Sequence, residues 1–370
     1  MTLVETVYTF HTGTKLIAVG TVLMIIGRIV FGVLGGGGGG EVTPMPTPVL
    51  SSLPSAKVPR LEIASLDISP QVEPAYVLDL ITAVLPAKPQ VAKVYPVVQP
   101  KIGFLSGEKA RKIAEKFGFK NDASLSGINY IWEDAERRLE VDGKTLNFIY
   151  EYKYAREPGL FSAGSIFSTE GALTTAQEIL KNWGLLGNFR VGKPRYQLLK
   201  YSAGTLVSTA SLEEASAVRV DFPRASLESY LVLGSSPLFD NVYVIFTGNP
   251  GKRGGYGRIL KFSSTRWFLK EEEAEEYPLK TARAAWDQFK ATGQSLVELL
   301  PEGGDPLAPY TPRSVREFRA REVFLAYFNP PKQPQYLQPI WVFKGRAILA
   351  NDQKADWEAY VPAISDEWVE

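Results

Sequence analysis

An apolar run from Leu16 to Leu34 leads directly into six consecutive glycines, Gly35 to Gly40, and then into a proline-studded stretch that ends near Pro100. A glycine run has no side chains to pack and behaves as a free joint, while spaced prolines fix φ and favour extended polyproline geometry. The order reads as anchor, swivel, spacer and folded head.

Nineteen helical residues rise about 28 Å, close to the roughly 30 Å hydrocarbon core of a bilayer. The expectation is a single-pass transmembrane helix over residues 16–34, with Leu16, Ile17, Val19, Leu23, Ile25, Ile26, Ile29 and Phe31 facing lipid. Arg28 lies within two turns of the C-terminal end, so its stem can carry the guanidinium to the headgroups. A cleaved signal peptide is the alternative, but no Ala-x-Ala site follows, and a chain without cysteine cannot carry a lipoprotein anchor. Lys15 flanks the apolar run on its N-terminal side, and no Lys or Arg follows Arg28 until Lys57. The positive-inside rule then places residues 1–15 in the cytoplasm and the head outside the cell membrane.

Composition works mainly by exclusion. Removing Lys15, Arg28 and Glu5 from the chain's 41 basic and 40 acidic residues leaves 39 of each beyond the glycines. A neutral head has no global attraction for nucleic acid. There is no cysteine and one histidine, His11, which precedes the apolar run. Thiolate, Ser-His-Asp and His-ligated metal chemistry are thereby unavailable to the head. Paired carboxylates, a Ser-Lys dyad or an all-oxygen calcium site remain.

Residues 35–101 read as linker, with eleven of the chain's 26 prolines between Glu41 and Lys101; Ala75 to Leu85 is apolar enough to pack on the head. Beyond residue 101, short amphipathic helices alternate with aromatic-rich strands, the pattern of an α+β fold. Three helices share one spacing: Ala110, Ile113, Ala114 and Phe117 before Gly118; Ala176, Ile179, Leu180 and Trp183 before Gly184; Ala282, Ala285, Trp286 and Phe289 before Gly293. Each is followed by strand candidates, which divides the head into three helix-on-sheet modules, 102–157, 158–270 and 271–370. Any amphipathic helix on a sheet shows this spacing, so internal duplication and coincidence both stand. The product in either case is a helix across a curled antiparallel sheet, as in PepSY-like and cystatin-like modules.

In the third module, Tyr277-Pro278-Leu279-Lys280, the helix through Ala285-Trp286, the run Tyr336-Leu337-Gln338-Pro339-Ile340-Trp341-Val342-Phe343 and Ala359-Tyr360-Val361-Pro362-Ala363 resemble the YycH/YycI-type extracytoplasmic regulators of bacterial sensor kinases. The resemblance covers about the last ninety residues and the overall layout. It implies a single-pass anchor, PepSY-like or cystatin-like modules and no enzymatic activity.

Local features with sharper readings are few. Gly248 to Gly255 offers amides and two cations to a phosphate but lacks the Gly-Lys-Ser/Thr ending of a P-loop, and reads as a hairpin loop. The acidic run Glu271, Glu272, Glu273, Glu275 and Glu276 lacks the Asp/Asn/Gly alternation of a calcium loop. Glu133 with Asp134, and Glu213 with Glu214, are adjacent and would face opposite sides of a strand. Trp132, Trp267, Trp341 and Trp357 could form a stacking platform for glycan or peptide, although period-two placement makes core positions of most of them. The expectation is therefore a non-enzymatic, membrane-anchored extracytoplasmic interaction or regulatory module without cofactor or metal, whose partner is a protein such as a kinase or peptidase. The alternative is a glycan- or peptide-binding envelope protein.

Overall fold

The computed structural model describes residues 54–69, 73–87, 89–161, 168–184, 189–248 and 259–370. Among these the fold is mainly β, with seventeen strands in two sheets and three α-helices. This corrects the expected array of three PepSY-like modules. Among the described residues no helix is long and apolar enough to cross a membrane, at odds with the expected single-pass anchor. Residues 16–34, including Leu16, Ile17, Val19, Leu23, Ile25, Ile26, Arg28, Ile29 and Phe31, lie outside the described residues.

In chain order the elements are β1 (Ala75–Leu78), β2 (Val91–Pro96), α1 (Ser106–Lys116), β3 (Ser124–Ser126), β4 (Asn129–Glu133), β5 (Arg137–Asp142), β6 (Phe148–Tyr152), α2 (Thr169–Asn182), β7 (Arg195–Ser202), β8 (Thr205–Ser208), β9 (Ala217–Asp221), β10 (Leu231–Leu233), β11 (Val242–Thr247), β12 (Ile259–Ser264), β13 (Glu275–Pro278), α3 (Ala282–Thr292), β14 (Leu296–Pro301), β15 (Val315–Phe328), β16 (Tyr336–Leu349) and β17 (Lys354–Pro362).

The nine-stranded sheet runs β3-β4-β5-β6-β12-β11-β9-β7-β8, antiparallel throughout. Its central pair, β6 with β12, joins strands expected in separate modules. Both α1 and α2 lie on one face, where Ala110, Ala114, Phe117, Ala176, Ile179 and Leu180 enter a core with Trp132, Tyr150, Val244 and Phe262. Two short meanders would each leave an open edge; joining them pairs those edges and covers a single larger face with both helices.

The eight-stranded sheet has the path β1-β15-β16-β17-β14, with β10 parallel to β15, and β2 bridging β13 and β16. The presumed spacer thus supplies two strands. Between its prolines, Tyr76 and Leu78, and further on Ala92, Val94 and Tyr95, provide the apolar surface that a strand needs. One face is packed by α3, where Trp286 and Phe289 meet Phe318, Phe343 and Trp357. All three helix C-termini pass through a left-handed glycine: Gly118 (φ 77°), Gly184 (φ 65°) and Gly293 (φ 62°). Ser168 caps α2 by accepting from the Gly171 N–H at 3.2 Å, and Thr281 caps α3 from the Ala284 N–H at 3.1 Å.

Candidate functional site

The second face of the eight-stranded sheet is crossed by a strap, residues 58–69, which sequence reading assigned to linker. Its ends are tied by backbone bonds: the Val58 N–H donates to Trp368 O at 3.0 Å, Leu66 to Leu296 O at 2.7 Å and Ser69 to Arg313 O at 2.9 Å. Between these ties the side chains alternate. Leu61 and Ile63 pack against the cluster of Val297, Ile340, Val342 and Tyr360, while Arg60 and Glu62 are exposed. Such alternation marks extended chain. From Arg60 to Ser65 the strap's backbone amides donate to no other described residue.

This strap forms one wall of two concavities. The larger, about 1190 Å³, lies toward the outer side of α3 and is lined by Ala284, Gln288 and Thr292 together with Lys280, Gln294 and Asp366. Lys280 is held there by Asp366 Oδ1 and Gln288 Oε1, at 2.8 and 2.9 Å. The smaller, about 640 Å³, is bounded by Phe328, Pro330, Pro334 and Tyr336. Arg60, Leu61, Glu62 and Ile63 border both.

A second constellation lies farther along the same sheet face. Antiparallel register sets Glu298 of β14 directly opposite Glu358 of β17, beside a bulge between Leu296 and Glu298. Burial, then the Glu358 and Asp356 charges, push the Glu298 carboxyl up to about 7. Burial likewise raises Glu358 to about 7 against the pull of Lys344, its neighbour on β16. The fully buried Tyr360 hydroxyl points toward Glu358 without completing a hydrogen bond of normal geometry, and burial drives its acidity far down.

Arg195 of β7 acts on both Glu358 and Tyr360, which brings a corner of the nine-stranded sheet to this place. That corner is internally neutralised. Arg219 clamps Asp221 through two bonds of 2.7 Å, stacks on Tyr243 at 3.7 Å and on Phe239 at 4.4 Å, and is buried with its partner. Arg195 holds Asp240 at 2.6 Å. Across the face opposite the helices, the row Arg219, Ile245, Lys261, Glu151, Arg138 continues with ion pairs Lys261–Glu151 at 2.5 Å and Arg138–Glu133 at 3.1 Å.

The sequence candidates do not converge on either place. Trp132, Trp267, Trp341 and Trp357 are each at most 5% exposed and are divided among three cores, with Trp341 and Trp357 sharing one, rather than set on one platform. Three of them spend their indole N–H on backbone oxygens: Trp267 on Pro330, Trp341 on Lys280 and Trp357 on Arg319. The acidic run is divided between a single helical turn and β13, with Glu271 paired to Arg190 and Glu273 to Lys270. No group of three acidic or His side chains that could hold a metal occurs among the described residues. Glu133 pairs with Lys153 and Arg138, Asp134 with Arg137, and Glu214 with Lys200. Residues 249–258 of the glycine-rich loop lie outside the described residues. The motifs of the YycH/YycI-type resemblance fall on β13, α3, β16 and β17, where Tyr277, Trp286, Trp341 and Tyr360 are buried.

No family model and no curated protein matches the chain. Among solved structures, an uncharacterized protein from Eubacterium rectale ATCC 33656 is similar at a TM-score of 0.37 and 10% identity, over 75% of this chain and 85% of that one. A likeness at that score carries nothing about fold or function.

Proposed function

We propose that the protein is a non-enzymatic interaction module that takes up an extended segment of a partner protein alongside the strap. The observation that carries this reading is the run of amides from Arg60 to Ser65 that donate to no other described residue, beside grooves of about 1190 and 640 Å³. An incoming extended chain would satisfy those groups by β-addition, drawing affinity from the main chain and specificity from alternate side chains. The YycH/YycI-type resemblance points the same way, since those regulators are not enzymes. A glycan platform is less well supported, because it needs aromatic faces exposed together and the four candidate tryptophans are buried.

The test is photo-crosslinking in the native host with p-benzoylphenylalanine in place of Glu62, and in place of the exposed Ile149 as control. A discrete partner adduct from Glu62 alone is expected; equal labelling from both positions refutes the reading. Ala64→Pro removes a strap amide that bonds to no other described residue, so it should leave folding intact and weaken the captured complex about 3- to 10-fold, the worth of one hydrogen bond.

A further inference from the structure

Across Leu66 from the groove lies a third concavity of about 220 Å³, walled by Leu66, Phe239, Pro306, Pro309 and Tyr310, with Glu298 in its lining. We infer that this pocket receives an arginine side chain of the partner segment, its guanidinium meeting Glu298; the inference rests on the groove reading for the identity of the partner.

The charge pattern around Glu298 supports it. Every charged neighbour that perturbs Glu298 is acidic, namely Glu358 and Asp356, and it forms no ion pair among the described residues. Two of the acids around it are already served: Asp356 has Arg346 at 3.1 Å and Asp240 has Arg195 at 2.6 Å, whereas Lys344, opposite Glu358, pairs with Glu322 at 3.2 Å. Asp305, also at the pocket, accepts from the Ser208 and Leu307 amides at 3.2 and 3.0 Å. Arg313 lies exposed at the rim and makes no ion pair with Glu298.

A second observation comes from the sheet beneath. The Tyr360 hydroxyl is fully buried and lies toward Glu358 without a hydrogen bond of normal geometry, so the acid opposite Glu298 is itself incompletely satisfied. An ionised acid facing another acid and lacking a cation is costly where Leu66, Phe239, Pro306 and Pro309 exclude water around it. Size also fits, since a cavity near 150 Å³ holds a benzene and this one is larger. Guanidinium suits the place better than ammonium because it stacks on aromatic rings such as Phe239 and Tyr310 while its fork engages a carboxylate.

The probes are N-acetyl-arginine amide, N-acetyl-lysine amide and the neutral isostere N-acetyl-citrulline amide, titrated calorimetrically into the full chain at pH 8 and pH 5. The arginine probe should bind at pH 8 at least tenfold more tightly than citrulline, and lose at least tenfold at pH 5, where Glu298 is protonated. Glu298→Gln should abolish the difference; Glu358→Gln, which leaves the Glu298 charge, should retain it. Equal binding of arginine and citrulline, or lysine ahead of arginine, overturns the assignment. So does arginine binding that emerges only in Arg313→Gln, which would mean that the rim arginine already fills the pocket. A missing Glu62 adduct with intact arginine binding would fail the groove alone, and the converse would fail the pocket alone.

Discussion

Replacing Glu298 by glutamine should make the protein more stable at pH 8 and change it little at pH 5. The folded carboxyl titrates near 7 against an ordinary value of 4.5, a displacement of about 2.5 units, or about 3 kcal/mol at 1.36 kcal/mol per unit. Because the native state holds the proton more tightly than the unfolded chain, its contribution is complete below about 4.5 and disappears as pH rises through 7. Above 7 the native state keeps an ionised acid beside Glu358 that the unfolded chain places in water. Glu298 is only partly buried and coupled to Glu358, so solvent screening reduces the ceiling to about 1–2 kcal/mol. Glutamine has the same shape and no charge, and should recover most of that at pH 8. Urea unfolding followed by tryptophan fluorescence at pH 5 and pH 8 measures it. A Glu298→Gln effect of the same size at both pH values, or destabilisation at pH 8, would refute the buried-pair account.

Three further outcomes are expected. Gly345→Ala should cost at least about 2 kcal/mol in urea unfolding, because an added Cβ would lie 2.1 Å from Arg319 O and 2.9 Å from Arg321 N, opposite the β15 bulge between Ala320 and Glu322. Arg219→Leu strands Asp221 without its cation and should cost about 3–5 kcal/mol, most of it recovered in the Arg219→Leu/Asp221→Leu double variant; a double variant as weak as the single would contradict the pairing. Acrylamide should quench the tryptophan emission only slightly, since five of the chain's seven tryptophans, Trp132, Trp267, Trp286, Trp341 and Trp357, are buried; strong quenching would revive an aromatic platform.

What could be read from the sequence was what is decided locally. Three helices ending at Gly118, Gly184 and Gly293 were legible because a glycine that accepts a left-handed φ stops a helix whatever surrounds it. That strands follow each helix was legible from aromatic-rich segments, of which Phe148–Tyr152 alternates buried and exposed. Partner choice was not. The bonding of Phe148–Tyr152 to Ile259–Ser264, and of Ala75–Leu78 to Val315–Phe328, spans more than a hundred residues of chain, and alternation in one strand says nothing about which edge it will meet. The shared helix spacing was misleading for the same reason. It reports an amphipathic helix on a sheet, and α1 and α2 satisfy it on one sheet while α3 does so on another.

The candidate site was illegible on the same physical grounds. Leu61 and Ile63 look like linker residues until the floor formed by Val297, Ile340 and Val342 explains their alternation, and proline density nearby hid the strands around them. Glu298 and Glu358 lie sixty residues apart, each an ordinary acid in an alternating strand; only the bulged register between β14 and β17 makes them neighbours. Strap and acid pair then meet at one residue. Leu66 ties the strap to β14 through Leu296 O, lines the larger groove on one side and the Glu298 pocket on the other. A chain laid along the strap would therefore have its main chain and one side chain read by two faces of the same junction, so that shape and charge select a single segment together.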